Sequence, residues 1–149
     1  MDEPLLASVS EYMQTGIHIG TKFRTKYMSE FIYRIRVNKL SILNISKIDE
    51  RIKIASRFMS GFEPNDILVV CKRENGWKAV SSFSNYTEIN VLTDYKPGTM
   101  TNMNLEGFIE PKLLVVIDGF VDNVAVKAAS KAGIIGFTNT IDKELHDVR

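Results

Sequence analysis

Two runs, Ile67-Leu-Val-Val-Cys71 and Leu113-Leu-Val-Val-Ile117, constrain this chain more than anything else in it. Each is five residues long, continuously apolar and rich in β-branched side chains. A strand with one wet face alternates apolar and polar positions, whereas a run with no polar position buries both faces. Helical patterns lie between and beyond the two runs. Lys78 to Tyr86 and Asn123 to Ala132 read as helices, the second capped by Asp122 and closed by Gly133. Glu88 to Leu92 and Ile134 to Thr138 read as further short strands. Short buried strands alternating with helices predict an α/β fold with a mainly parallel sheet covered on both sides. Thr93 to Pro111, with Pro97-Gly98 and several Asn, Thr and Gly, is the one long irregular segment. Pro97 to Asn102 reads as a tight turn with capping hydroxyls, read first as shaping that loop and second as meeting a neighbour.

The first third of the chain has a different texture. Ser8 to Thr15 reads as a short helix capped by Ser8 or Ser10 and ended by Gly16. Phe31 to Arg36 and Leu40 to Ile45 read as two strands joined through Asn38-Lys39, an N-terminal β-hairpin. Ser46 then reads as the cap of a helix ending near Gly61, with Asp49 and Glu50 in its first turn, where the dipole favours acids. Ile48, Ile52, Ala55, Phe58 and Met59 share one face of that helix and are expected in the core. The expected organisation is a single domain over 1–149, with a helix and basic hairpin over 8–45 and an alternating α/β core over 46–142. At 149 residues, a domain buries roughly 68–70% of its unfolded surface and needs no covalent staples.

Charge is distributed unevenly. Ten Lys and Arg fall between Lys22 and Arg57 against three acids, a local net charge of +7, while the remainder carries −6, so the total of +1 conceals a basic region. A local basic field attracts phosphate whatever the total. Lys22, Arg24 and Lys26 stand at alternate positions, as do Arg34 and Arg36. On extended backbone each set points to one side. These five form the candidate phosphate-contacting face. Such cations are also what an ordinary solvated edge strand carries. Tyr27, Phe31 and Tyr33 could stack on unpaired bases, with Phe31 read first as a core residue. His18, between Ile17 and Ile19, is expected to be half-buried and satisfied. Lys72 and Arg73 follow a strand end, where open α/β sheets collect ligands, and are candidate phosphate contacts.

Other chemistry lacks its signatures. There is no G-x-G-x-x-G and no G-x-x-x-x-G-K-[ST], no G-x-S-x-G elbow, and Asn139-Thr-Ile-Asp142 only faintly resembles a guanine-reading loop. His18, His146 and Cys71 do not cluster as metal ligands, and Cys71 reads as a core thiol. No cofactor, metal or catalytic residue is expected. The longest apolar run is far short of the roughly 20 residues a membrane span needs, and the acidic start does not resemble a signal peptide. The expected compartment is the cytoplasm, and no membrane partner is expected.

His18-Ile-Gly-Thr-Lys22, Thr25-Lys26-x-Met28, Phe31-Ile-Tyr-Arg-x-Arg36, Lys47-x-Asp49-Glu50-Arg51-Ile52, Pro97-Gly98-Thr99-x-Thr101-Asn102, Glu110-Pro111, and Gly133-Ile134 with Thr138-Asn139-Thr140 occur in this order. In these blocks the chain resembles small-subunit ribosomal protein two, the universal "S-two" family, in its archaeal form. The resemblance implies a flavodoxin-like three-layer domain. It also implies a structural, non-catalytic place in the small ribosomal subunit, against ribosomal RNA and neighbouring ribosomal proteins, with His18 touching RNA backbone. The family pattern has Pro-Arg after the strand aspartate where Gly119 and Phe120 stand, a glutamate near Ala128-Ala129, and a proline at Ile135. It also continues with a further strand and helix that are absent here. The alternative is an α/β domain binding a nucleotide or phosphorylated small molecule at the strand carboxyl ends, lined by Lys72, Arg73, Asp118 and Asn139.

Overall fold

The computed structural model describes residues 4–22, 24, 26–119 and 121–138. The chain divides into two compact units, Met1–Phe58 and Met59–Arg149.

In the second unit, the apolar runs become β3 (Ile67–Val70) and β5 (Leu113–Val116), joined by β4 (Asn90–Leu92) and β6 (Ile135–Thr138). All four strands are parallel, in the order β4-β3-β5-β6. In chain order within the sheet this is second-first-third-fourth, the flavodoxin-like arrangement. Alternate side chains go to opposite faces. Leu68, Val70, Leu114 and Val116 pack with Ala125 and Ala129 of α4 (Asn123–Ala132) and with Tyr95 and Met100. Ile67, Val69, Leu113 and Val115 pack with Cys71, Ile89 and Val80 of α3 (Glu74–Thr87). The expected sheet covered on both faces is what forms.

Helix α3 starts at Glu74, four residues earlier than the sequence indicates. Its first turn passes so close to the end of β3 that a Cβ on Gly76 would stand 2.6 Å from Cys71 Sγ. Gly76 reads locally as a helix breaker but is there for this contact. Asp122 does not cap α4 with its side chain. Its Oδ2 instead accepts the Lys72 N–H at 3.3 Å. Gly133 closes α4 in left-handed backbone, as expected. In the long loop, Thr99 Oγ1 donates to the Lys96 carbonyl at 2.7 Å and Gly98 takes φ +100°. The turn there shapes the loop.

In the first unit, α1 (Val9–Gln14) has a full capping box. Ser8 accepts from the Glu11 N–H, and Glu11 accepts from the Ser8 N–H. The hairpin consists of β1 (Ile32–Ile35) and β2 (Ser41–Leu43), antiparallel, with Lys39 in left-handed backbone at the turn. A strand-like segment lies along the other side of β2. Leu43 N–H donates to the His18 carbonyl, Gly20 N–H to that of Ser41, and Ile19 bridges Ile42.

Helix α2 (Ile45–Met59) begins one residue before the expected cap. Asn44, not Ser46, caps it, its Oδ1 accepting the Ser46 N–H at 3.0 Å. With the start moved back, Asp49 lies beyond the first turn and is 2% exposed. It accepts from Tyr12 OH at 2.7 Å and Leu6 N–H at 2.8 Å, and pairs with Lys53 at 3.0 Å. The expected core stripe on this helix is not a core: Ile52 and Phe58 are exposed and Ile48, Ala55 and Met59 only half-buried. The 3.6-residue period gathers these side chains on one face, but among the described residues only Met59, which belongs to the second unit, packs against a buried apolar cluster. Tyr12 is the one buried apolar side chain of the first unit among the described residues.

Candidate nucleic-acid interface

The hairpin carries the site. Between Ile32 and Arg34 the strand pairing slips, so Ile32 opposes Leu43 while Arg34 opposes Ile42. A bulge puts successive residues on one side of a strand. Tyr33, Arg34 and Arg36 consequently all line one cleft, of about 420 Å3, with His18, Met13 and the stretch Ile42 to Ile45. No carboxylate lines it among the described residues. Tyr33 is 72% exposed, an aromatic face available at the rim. Arg34 and Arg36 are exposed.

His18 departs from expectation in one respect. It is half-buried, as expected, but its Nδ1 is buried with no hydrogen-bond partner among the described residues. The segment between Gly16 and Gly20 lies beside β2 through backbone hydrogen bonds.

Lys22, Arg24 and Lys26 are exposed. The expected alternation along them crosses positions 23 and 25, which lie outside the described residues. Lys26 itself has helical backbone, φ −59° and ψ −37°, and opens a short 3-10 turn over Tyr27–Phe31, so the extended run stops there. Phe31 is half-buried. The ring of Tyr27 lies 5.7 Å from it and the Arg51 guanidinium 5.2 Å over it, a cation–π arrangement. That occupies Phe31 within its own unit and leaves Tyr33, 72% exposed, more accessible than Tyr27 at 49%.

Lys72 and Arg73 belong to the other unit, at the carboxyl end of β3. Both are exposed, but Arg73 Nε is paired with Asp118 Oδ2. The Asp122 carboxylate beside them is buried, and burial pushes it above the usual carboxylate range; the Lys72 N–H pulls it back, and Asp118 pushes it further up. Burial likewise pushes the Cys71 thiol up, reinforced by Asp122, so Cys71 is a core thiol with little thiolate. Of the alternative ligand site, Arg73 and Asp118 satisfy one another, and Asn139 lies outside the described residues, as do the guanine-like segment and His146.

Sequence reasoning singled out His18, Arg34 and Arg36 but not their convergence. It missed Met13, Asn44 and the Ile42–Ile45 wall, and no glycine marks the bulge that turns Tyr33 toward the cleft.

No protein-family model matches the chain. Among curated proteins it is 42% identical over 139 residues to small ribosomal subunit protein uS2 of Saccharolobus solfataricus, covering 91% of this chain and 60% of that one. It is 40% identical over 142 residues to uS2 of Methanococcus maripaludis strain C5, covering 93% and 64%. With uS2 of Nanoarchaeum equitans it shares 39% over 130 residues, covering 87% and 65%. The chain thus spans a little under two thirds of the length of these relatives. The blocks along the chain, the parallel sheet in its flavodoxin-like order and these identities agree: over about nine tenths of its length the chain is similar to the archaeal small ribosomal subunit protein uS2.

Proposed function

We propose that this chain is a structural, non-catalytic constituent of the small ribosomal subunit, where it binds ribosomal RNA and neighbouring ribosomal proteins in support of translation. The observation that carries this reading is identity near 40%, sustained over about nine tenths of the chain, to proteins of that name. On this reading its location is the ribosome of the cytoplasm.

The RNA face consists of Lys22, Arg24, Lys26, Arg34, Arg36 and His18, with Lys72 and Arg73 as contacts from the other unit. Cations near phosphates supply most RNA affinity by releasing counterions. The exposure of the five hairpin-region cations supports this assignment. Exposed apolar side chains around them, including Ile17, Ile19, Ile35 and Ile54, support contact with neighbouring proteins.

The test is sedimentation of the tagged chain on a gradient, beside a variant with Lys22, Arg24, Lys26, Arg34 and Arg36 all changed to Ala. We expect the wild type to travel with the small subunit through moderate salt and the variant to be lost from it. Comigration of both would remove the cationic face from the account. A wild type that stays at the top of the gradient would overturn the ribosomal reading.

A further inference from the structure

We propose that the cleft bounded by His18, Tyr33, Arg34 and Arg36 holds one unpaired nucleotide of RNA. The base lies on the Tyr33 ring, a phosphate meets the two guanidinium groups, and a polar atom of base or ribose meets His18 Nδ1. This goes further than a cationic face, and it rests on the RNA-binding reading above.

Four observations converge on it. The cleft, at about 420 Å3, falls within the roughly 300–1,000 Å3 of ordinary small-ligand sites. Its floor is apolar, from Met13, Ile42, Leu43 and Ile45, which suits a flat heteroaromatic ring. Its rim offers an aromatic face, since Tyr33 is 72% exposed and the bulge turns it to the same side as Arg34. Finally, His18 contributes a buried Nδ1 that no described residue satisfies. Nearly all buried polar atoms in proteins have a partner, and one that lacks it while its ring lines a cleft is matched by a polar atom of the occupant.

The chemistry selects among occupants. Two cations with no carboxylate among the described lining residues call for an anion. An apolar peptide offers backbone carbonyls but no anion for Arg34 and Arg36. An RNA duplex offers phosphates, 2′-hydroxyls and minor-groove base edges but keeps the faces of its bases stacked inside, so none can lie on Tyr33. An unpaired nucleotide supplies the ring, the phosphate and the polar edge together.

The experiment measures binding of the full chain to a short unstructured single-stranded RNA and to an RNA duplex of equal charge, across a salt series. Because Tyr33 is largely exposed, Tyr33→Leu keeps the fold. It is expected to weaken the single strand roughly five- to a hundredfold, leaving duplex binding and the salt slope unchanged. Replacing Arg34 and Arg36 by Ala is expected to flatten the slope by about 0.7 for each phosphate no longer neutralised. Adenosine and uridine monophosphate are expected to shift the His18 imidazole nitrogen signals. If both RNAs bind and Tyr33→Leu weakens neither, the nucleotide site is overturned while RNA binding stands. If an apolar peptide but no nucleotide shifts the His18 signals, the occupant is protein and the inference falls. If neither RNA binds, the RNA-binding reading falls and takes the cleft with it.

Discussion

Strands β3 and β5 of the second unit contribute eight side chains, none more than 8% exposed. Strands β1 and β2 of the first contribute one buried side chain, Ser41. Two modes of holding a structure are side by side in one chain. The second unit is a parallel sheet covered on both faces, and each fully buried aliphatic residue there contributes about 1.5–3 kcal/mol. Among its described residues the first unit buries one apolar side chain, Tyr12. It is organised around one buried carboxylate, Asp49, which gathers the Tyr12 hydroxyl, the Leu6 N–H and the Lys53 ammonium. It leaves Tyr33, Ile35 and Val37 exposed along one strand and its turn. A unit that buries little of its own apolar surface leaves it free for something else, and on the function proposed above the candidates are RNA and protein neighbours.

Substitutions can break or sharpen this contrast. The largest effect is expected from Leu114→Ala, at a fully buried position. It should cost the second unit about 2–5 kcal/mol, read as a drop in denaturant midpoint. Next comes Gly76→Val. Its new side chain meets Cys71 Sγ, which is fully buried at the end of β3 and cannot retreat, so a loss of about 1–3 kcal/mol is expected. In the first unit, Asp49→Ala removes the polar centre. It should speed amide exchange across Leu6 to Tyr12 by about tenfold or more, the factor that one broken charged hydrogen bond commonly sets. Unchanged exchange there would mean that the centre does not hold the unit together.

Acid separates the two modes more gently. Burial alone would raise the Asp49 carboxyl, but the Tyr12 hydroxyl, the Leu6 N–H and Lys53 together hold it below its ordinary 3.8. The folded form therefore binds its proton less tightly than the unfolded chain. The stabilisation is complete above 3.8 and is lost as pH falls through the lower folded value. Asp122 is the reverse: burial holds it above 3.8, so its contribution is present below 3.8 and is lost as pH rises through the higher folded value. An amide spectrum followed downward from about pH 5 should lose α1 signals while the sheet holds. Simultaneous loss would break the contrast. The smallest effect belongs to the interface cations. Replacing Arg34 and Arg36 by Ala should leave stability within about 0.5 kcal/mol and change only RNA binding.

The same contrast governs what the sequence revealed. The parallel sheet was legible because a strand buried on both faces admits no polar residue, and Ile67 to Val70 and Leu113 to Val116 obey that rule without exception. The positions of α1, β1 and β2 were legible too, from Ser8, from Phe31 to Arg36 and from the Asn38-Lys39 turn. What failed was burial. The Ile48 stripe shows which residues share a face, and periodicity contains nothing about what lies opposite. Asp49 was read through its own helix, whereas its partners lie 37 and 43 residues away, at Tyr12 and Leu6. In the cleft, the charges of Arg34 and Arg36 were visible. The slip in register that brings Tyr33 beside them depends on pairing with β2, and no single position encodes it.

The pair between Arg73 and Asp118 has a further consequence. Open α/β sheets of this strand order take ligands beyond the carboxyl ends of their strands, where the order reverses, here between β3 and β5. Arg73 follows β3 and Asp118 follows β5, so their ion pair spans that crevice, and the Asp122 carboxylate already occupies the Lys72 N–H. An incoming phosphate would have to displace carboxylates fixed on the same chain, which are never diluted away. RNA phosphate reaching Lys72 and Arg73 therefore has to compete with Asp118 and Asp122, which makes these two the weaker contacts beside the cations of the hairpin.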